Sequence, residues 1–102
     1  MMGEAAGEGE SLDDLARGLR VLQRSRGHRS ATDDVLAAWC AAGACPKARR
    51  VLDLGCGHGT VTLLLSGLLS GASFVSVEVQ DISYALLCRN VALNALGDRV
   101  HP

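Results

Sequence analysis

Val51-Leu-Asp-Leu-Gly-Cys-Gly-His-Gly59 is the stretch that decides the fold of this chain. Apolar Val51, Leu52 and Leu54 enclose one acid, Asp53, and Gly55, Gly57 and Gly59 follow at alternate positions. That order reads as a strand, a tight turn and the start of a helix. Such a turn makes a cofactor pocket at the carboxyl edge of a parallel sheet. The strand shows little polar alternation, as expected of one buried on both faces. Gly55 frees the turn, Gly57 lets a ligand approach the backbone, and Gly59 lets the next helix pack closely. Thr60-Val-Thr-Leu-Leu-Leu-Ser-Gly-Leu-Leu69 continues as an almost wholly apolar helix, suited to a layer covering a sheet.

The glycine spacing separates two cofactor classes. A dinucleotide loop needs G-x-G-x-x-G, because its pyrophosphate sits on the helix N-terminus. Counted from Gly57 and Gly59, the place of the third glycine is held by Thr62, and the acid Asp53 leads the loop. A carboxylate at the lip suits a cofactor that is cationic there. S-adenosyl-L-methionine fits, with an ammonium, a sulfonium and no phosphate. Downstream, Ser73-Phe-Val-Ser-Val-Glu-Val79 reads as a second strand with Glu78 at its carboxyl end. A carboxylate there can accept hydrogen bonds from both hydroxyls of a ribose. Glu78 stands 25 residues after Asp53, one strand–helix–strand crossover away.

On these residues the chain resembles the class I S-adenosylmethionine-dependent methyltransferases. Val51–Gly59 looks like their first motif, and Glu78 like their ribose-binding acid. Further upstream, Gly27-His-Arg-Ser-Ala-Thr-Asp-Asp-Val-Leu-Ala-Ala-Trp39 resembles the segment before that motif in the "small-domain" methyltransferases. It is most similar to the bacterial adenine-N6 methyltransferases of tRNA. The resemblance implies a Rossmann-like α/β fold, with S-adenosyl-L-methionine held by Asp53, Gly55, Cys56, Gly57, Gly59 and Glu78 and bordered by Thr32 and Asp33. Cys56 would contribute its backbone. Thr32 as an N-cap and Asp33 and Asp34 at the positive end of a helix explain the same residues locally. The implied activity is methyl transfer to a base nitrogen of RNA, such as adenine N6 of a tRNA. Methylation of a protein glutamine and a non-catalytic scaffold are the alternatives. The family's Asn-Pro-Pro-aromatic acceptor motif has no counterpart among these residues, whose prolines are Pro46 and Pro102. No catalytic residue is therefore assigned. The chain reads as a truncated, cofactor-binding part of an enzyme, inactive and poorly folding by itself because strand edges lack partners.

The expected organisation is a disordered stretch over 1–10, helices over 11–48 and a partial S-adenosylmethionine-binding domain over 49–102. Leu12, Leu15, Leu19 and Leu22 recur at helical spacing, with Ser11, Asp13 and Asp14 suited to the helix start. A second helix is expected from about Asp33 to Ala42, ending at Gly43. The last helix is expected over Ile82–Leu96, capped by Asp81, with Ser83, Asn90 and Asn94 on its wet side and Tyr84 packed in the core. Val100 starts a third strand. The order is α/β, with two parallel strands plus the start of a third.

With 102 residues and a formal net charge of −1, bulk charge names no partner. Arg17, Arg20, Arg24, Arg26 and Arg29 could meet RNA phosphates, or form a solvated face balanced by nearby acids. No apolar run reaches the roughly 18 residues of a membrane helix, and the start lacks a secretory pattern. Cys40, Cys45, Cys56 and Cys88 form no Cys-x-x-Cys, which points to a reducing, cytoplasmic setting. Cys56 and His58 alone do not make a zinc site.

Overall fold

The computed structural model describes residues 5–102. It holds an antiparallel hairpin, β1 (Glu10–Asp14) and β2 (Arg20–Arg24), then α1 (Thr32–Ala44). There follow β3 (Arg50–Leu54), α2 (Thr60–Leu68), β4 (Ser73–Val77), α3 (Asp81–Leu93) and β5 (Val100–His101). β3, β4 and β5 form a parallel sheet in that order, with Val51 opposite Phe74 and Phe74 opposite Val100. The α/β order expected from Val51 onward is the one found. No helix among the described residues is long and apolar enough to cross a membrane.

α2 is apolar on nearly every side because it is enclosed. It packs against α1 on one side and β4 on the other. Leu63, Leu64 and Leu65 join Phe74, Leu87, Val91 and Val100 in the core. Burial of each such side chain contributes about 1.5–3 kcal/mol. Arg99 closes the far end of α2, its guanidinium donating to the carbonyls of Ser66, Leu69 and Ala72. The Ser66 carbonyl is in the last turn of α2, where acceptors lack a partner inside the helix, and those of Leu69 and Ala72 belong to the turn that leads to β4.

The helix expected over 11–24 is a hairpin instead. Leu12 pairs with Leu22 and Asp13 with Val21 across the two strands. The turn runs through Arg17 (φ 63°) and Gly18 (φ 75°), left-handed positions that end any helix. What overrides the local leucine spacing is α3. Asn90 Oδ1 accepts the Leu22 N–H at 2.6 Å, and Asn90 Nδ2 donates to the Leu22 carbonyl at 2.9 Å. Asn94 does the same for Arg20, at 2.8 and 2.7 Å. Four helical residues rise about 6 Å, and two strand residues about 6.6 Å, so an i, i+4 amide pair matches one edge of a strand. α3 thus serves β2 as a neighbouring strand would. Asn90 and Asn94 do not form a free wet stripe: Asn90 is 0 % exposed, and Asn94, at the partly exposed end, is taken up by Arg20.

Other expectations are corrected in the same way. Of the stretch 1–10 expected to be disordered, residues 1–4 lie outside the described residues. From Ala5 on the chain is held: Glu10 opens β1, accepts 2.9 Å bonds from Arg89 on both oxygens, and Arg89 also donates to the Ala5 carbonyl. α1 runs through Gly43 to Ala44, and Ala31, not Thr32, stands at its N-cap. Asp81 is the first residue of α3 rather than its cap, and the helix stops at Leu93, where Ala95 turns left-handed (φ 54°). Tyr84 is exposed rather than packed in the core. β3 is not buried on both faces. Leu52 and Leu54 are 60 % and 70 % exposed, and Val75 and Val77 of β4 share that open face.

Candidate cofactor site

The carboxyl ends of β3 and β4 meet at a cavity of about 430 Å³. Asp53, Gly55, Cys56 and Gly57 line it from the first strand and its loop, and Glu78 from the end of the second. His28, Asp34, Thr60, Gln80 and Ser83 complete much of the wall. Three carboxylates face this space, and none of its lining residues is a lysine or arginine. A cationic ligand is favoured there and an anionic one repelled.

Asp53 is held in place from α2. Thr62 Oγ1 donates to Asp53 Oδ2 at 2.7 Å and lies 2.7 Å from Ser76 Oγ of β4. The residue that breaks the dinucleotide pattern therefore has a task of its own, which requires a hydroxyl at that position. Glu78 is fixed by backbone donors. Its two oxygens accept the N–H groups of Gly57 at 2.8 Å and Gln80 at 2.9 Å. The Gln80 N–H first, then that of Gly57, holds the Glu78 carboxyl below the usual carboxylate range. Each carboxylate oxygen carries two lone pairs, so both remain open to a further donor.

The loop between them is rigid for local reasons. The Cys56 N–H donates to the Val77 carbonyl at 3.0 Å, which ties the turn to β4 two residues beyond the end of β3. Burial first, then the charges of Asp53 and Glu78, push the Cys56 thiol up to about 12. Gly59 precedes α2 with φ 100°, and a Cβ there would stand 2.7 Å from Leu87 Cδ1. The close packing at Gly59 is thus against Leu87 of α3 rather than against the strand. Behind the loop, His58 Nε2 lies 2.9 Å from Thr60 Oγ1 and 3.2 Å from Ser30 Oγ. Its carbonyl accepts from Asn90 Nδ2 at 2.8 Å. Burial, above all, lowers the pKa of His58, which stays neutral inside this hydroxyl pair. No group of three His, Cys, Asp or Glu side chains that could hold a metal ion is found among the described residues.

Neither a family model nor a curated protein sequence matches this chain. Solved structures do match in fold. TYW2 of M. jannaschii in complex with AdoMet superposes over 97 % of this chain with a TM-score of 0.76 at 20 % identity. TYW2 of P. horikoshii in complex with MeSAdo covers 93 % of it, with a TM-score of 0.73 at 18 % identity. The SAM-dependent methyltransferase from Agrobacterium tumefaciens covers 96 %, with a TM-score of 0.71 at 20 % identity. The chain has the class I methyltransferase fold. It spans 44 %, 35 % and 32 % of the lengths of those three structures, respectively.

Within this methyltransferase fold, five of the residues singled out in the sequence come together: Asp53, Gly55, Cys56, Gly57 and Glu78. Gly59 stands behind them at the head of α2. Thr32 and Asp33 do not line the cavity. Thr32 borders a separate cleft with Asp13, Gln23 and Ser30, and Asp33 is exposed. One helical step of about 100° brings the next residue, Asp34, to the wall instead. Asp34 also accepts the Ala31 N–H at 2.9 Å, which fixes its rotamer. His28 lies in the same Gly27–Trp39 stretch, but the resemblance does not single it out as a site residue.

Proposed function

We propose that this chain is the cofactor-binding part of an S-adenosylmethionine-dependent methyltransferase acting on a base nitrogen of RNA, such as adenine N6 of a tRNA. The observation that carries the cofactor reading is the convergence of Asp53 and Glu78, with Asp34, on one cavity lined by no lysine or arginine. TYW2 of M. jannaschii, which shares the fold, was solved in complex with AdoMet. The acceptor reading rests on the resemblance of Gly27–Trp39 to the tRNA adenine-N6 enzymes.

When bound, the cofactor supplies a methyl group made electrophilic by its sulfonium. The residues of this chain bind and orient. Asp53 and Asp34 offer carboxylates to the ammonium. Glu78 offers its free lone pairs to the ribose hydroxyls while its bonds to Gly57 and Gln80 keep it in place. Gly55 and Gly57 leave the backbone open to close approach, and Cys56 takes part through its main chain. Charge-assisted hydrogen bonds of this kind contribute about 1.5–3 kcal/mol each.

Calorimetry with S-adenosyl-L-methionine tests the reading. The expected result is binding that weakens about 10- to 100-fold in Glu78→Ala. Absence of binding, or equal affinity in the variant, refutes it and leaves a scaffold. Transfer of labelled methyl to unmodified tRNA rather than to a glutamine peptide, by the protein in its native full length, tests the acceptor.

A further inference from the structure

The hairpin arginines sort into two groups by what they touch. Arg29 is engaged inside the fold: Nη1 donates to the Arg24 carbonyl at 2.7 Å and Ser11 Oγ at 3.0 Å, and Nη2 reaches Asp13 at 3.4 Å. Arg20 lies 3.9 Å from Asp14. Arg24 and Arg26 are exposed, and their guanidinium groups have no acid partner among the described residues. Arg24 is the last residue of β2 and Arg26 stands on the β2–α1 loop, which also carries His28 in the cavity wall. Gly27 (φ 92°) shapes that loop, and the Arg24 guanidinium carbon lies 3.8 Å from where a Gly27 Cβ would be. The loop is tied down at both ends, by Ser25 N–H to the Gly9 carbonyl at 2.8 Å and Ser30 N–H to Gln23 Oε1 at 2.7 Å.

The charge is therefore divided by position. Carboxylates line the cavity, and guanidinium groups without an acid partner among the described residues stand at the end of β2 and on the loop that follows it. We infer that Arg24 and Arg26 are phosphate contacts that dock a nucleic-acid backbone beside the cofactor cavity, so that one neutral base can enter it. The inference rests on the methyltransferase reading above. An anionic backbone is excluded from the cavity by Asp34, Asp53 and Glu78, whereas an unstacked base carries no charge to repel. Arg29 donates to the Arg24 carbonyl, and Ser25 and Ser30 anchor the backbone on either side, so the chain that carries the two cations is already in place and only their side chains are ordered on contact. An acidic protein segment would meet the same cations but offers no neutral flat group for the cavity.

The test is fluorescence anisotropy of a labelled RNA stem-loop with the full chain, titrated at several salt concentrations. The wild type is expected to bind with an affinity that falls steeply with salt. Arg24→Gln with Arg26→Gln is expected to lower the slope of log K against log salt by about 2 and to weaken binding about tenfold at low salt. Lys47→Gln, Arg49→Gln and Arg50→Gln form the control, because those cations lie at or before the amino end of β3, with Arg50 about 10 Å of strand from Asp53 and the other two further back. An unchanged slope in the double variant, a slope lost in the control instead, or tighter binding to polyglutamate than to RNA overturns the inference. Cofactor affinity, measured separately by calorimetry, is expected to be equal in all three proteins. Its absence in the wild type would overturn the methyltransferase reading while the salt slope still decides the phosphate contacts.

Discussion

Replacing Asn90 by Ala removes one side chain that closes three separate backbone groups. Its amide accepts the Leu22 N–H at 2.6 Å and donates to the carbonyls of Leu22 at 2.9 Å and His58 at 2.8 Å. The residue is 0 % exposed, so water does not reach these groups when the amide is gone. A buried polar group left without a partner costs about 1–3 kcal/mol. Three of them, with some relief from relaxation or an entering water, give a loss of about 3–5 kcal/mol. For a domain of this size that corresponds to a fall in Tm of roughly 12 °C or more. Asn94→Ala is the matched comparison. It breaks the analogous pair with Arg20, but at an exposed edge where water replaces the amide, and about 1 kcal/mol is expected. Urea unfolding followed by circular dichroism measures both. A loss below about 1 kcal/mol for Asn90→Ala, or equal losses for the two variants, would show that α3 does not hold the hairpin edge as argued.

Stability is expected to fall with acid in two stages. His58 is neutral in the fold because its pKa is lowered below the ordinary 6.5, so the unfolded chain takes up protons first and stability declines as pH drops through 6.5. Glu10, Asp13 and Glu78 have lowered folded values, so their contribution is full above about 4.5 and is lost as pH falls further. Thermal unfolding from pH 8 to pH 3 reads both stages, and a flat profile between pH 7 and pH 5 would contradict the first. In iodoacetamide labelling at pH 8 followed by mass spectrometry, exposed Cys40 and Cys45 are expected to react well before Cys56, whose thiol is pushed up to about 12. Equal rates would mean that neither burial nor the charges of Asp53 and Glu78 protect Cys56.

The parts of this fold that were legible in sequence are those decided within a few residues. Alternate glycines after an apolar strand fix a turn wherever they occur, and Asp53 and Glu78 follow from their places at two strand ends. The hairpin was not legible because its determinant is remote. Leu12, Leu15, Leu19 and Leu22 satisfy a helical period, and the amides that favour a strand lie 68 and 74 residues away. Asn90 and Asn94 at i, i+4 look the same in sequence whether they face water or a strand edge. The signal that separates the two is their neighbours, since Leu86, Leu87 and Val91 on the same helix are buried around Asn90. An amide pair at i, i+4 set within an apolar face is better read as a partner for backbone than as a solvated stripe. Thr62 carries the same lesson. Read only as a missing glycine, it excluded one cofactor class. Read as a hydroxyl in the first turn of the helix, it could have been placed against Asp53, nine residues earlier, as the group that aims the carboxylate.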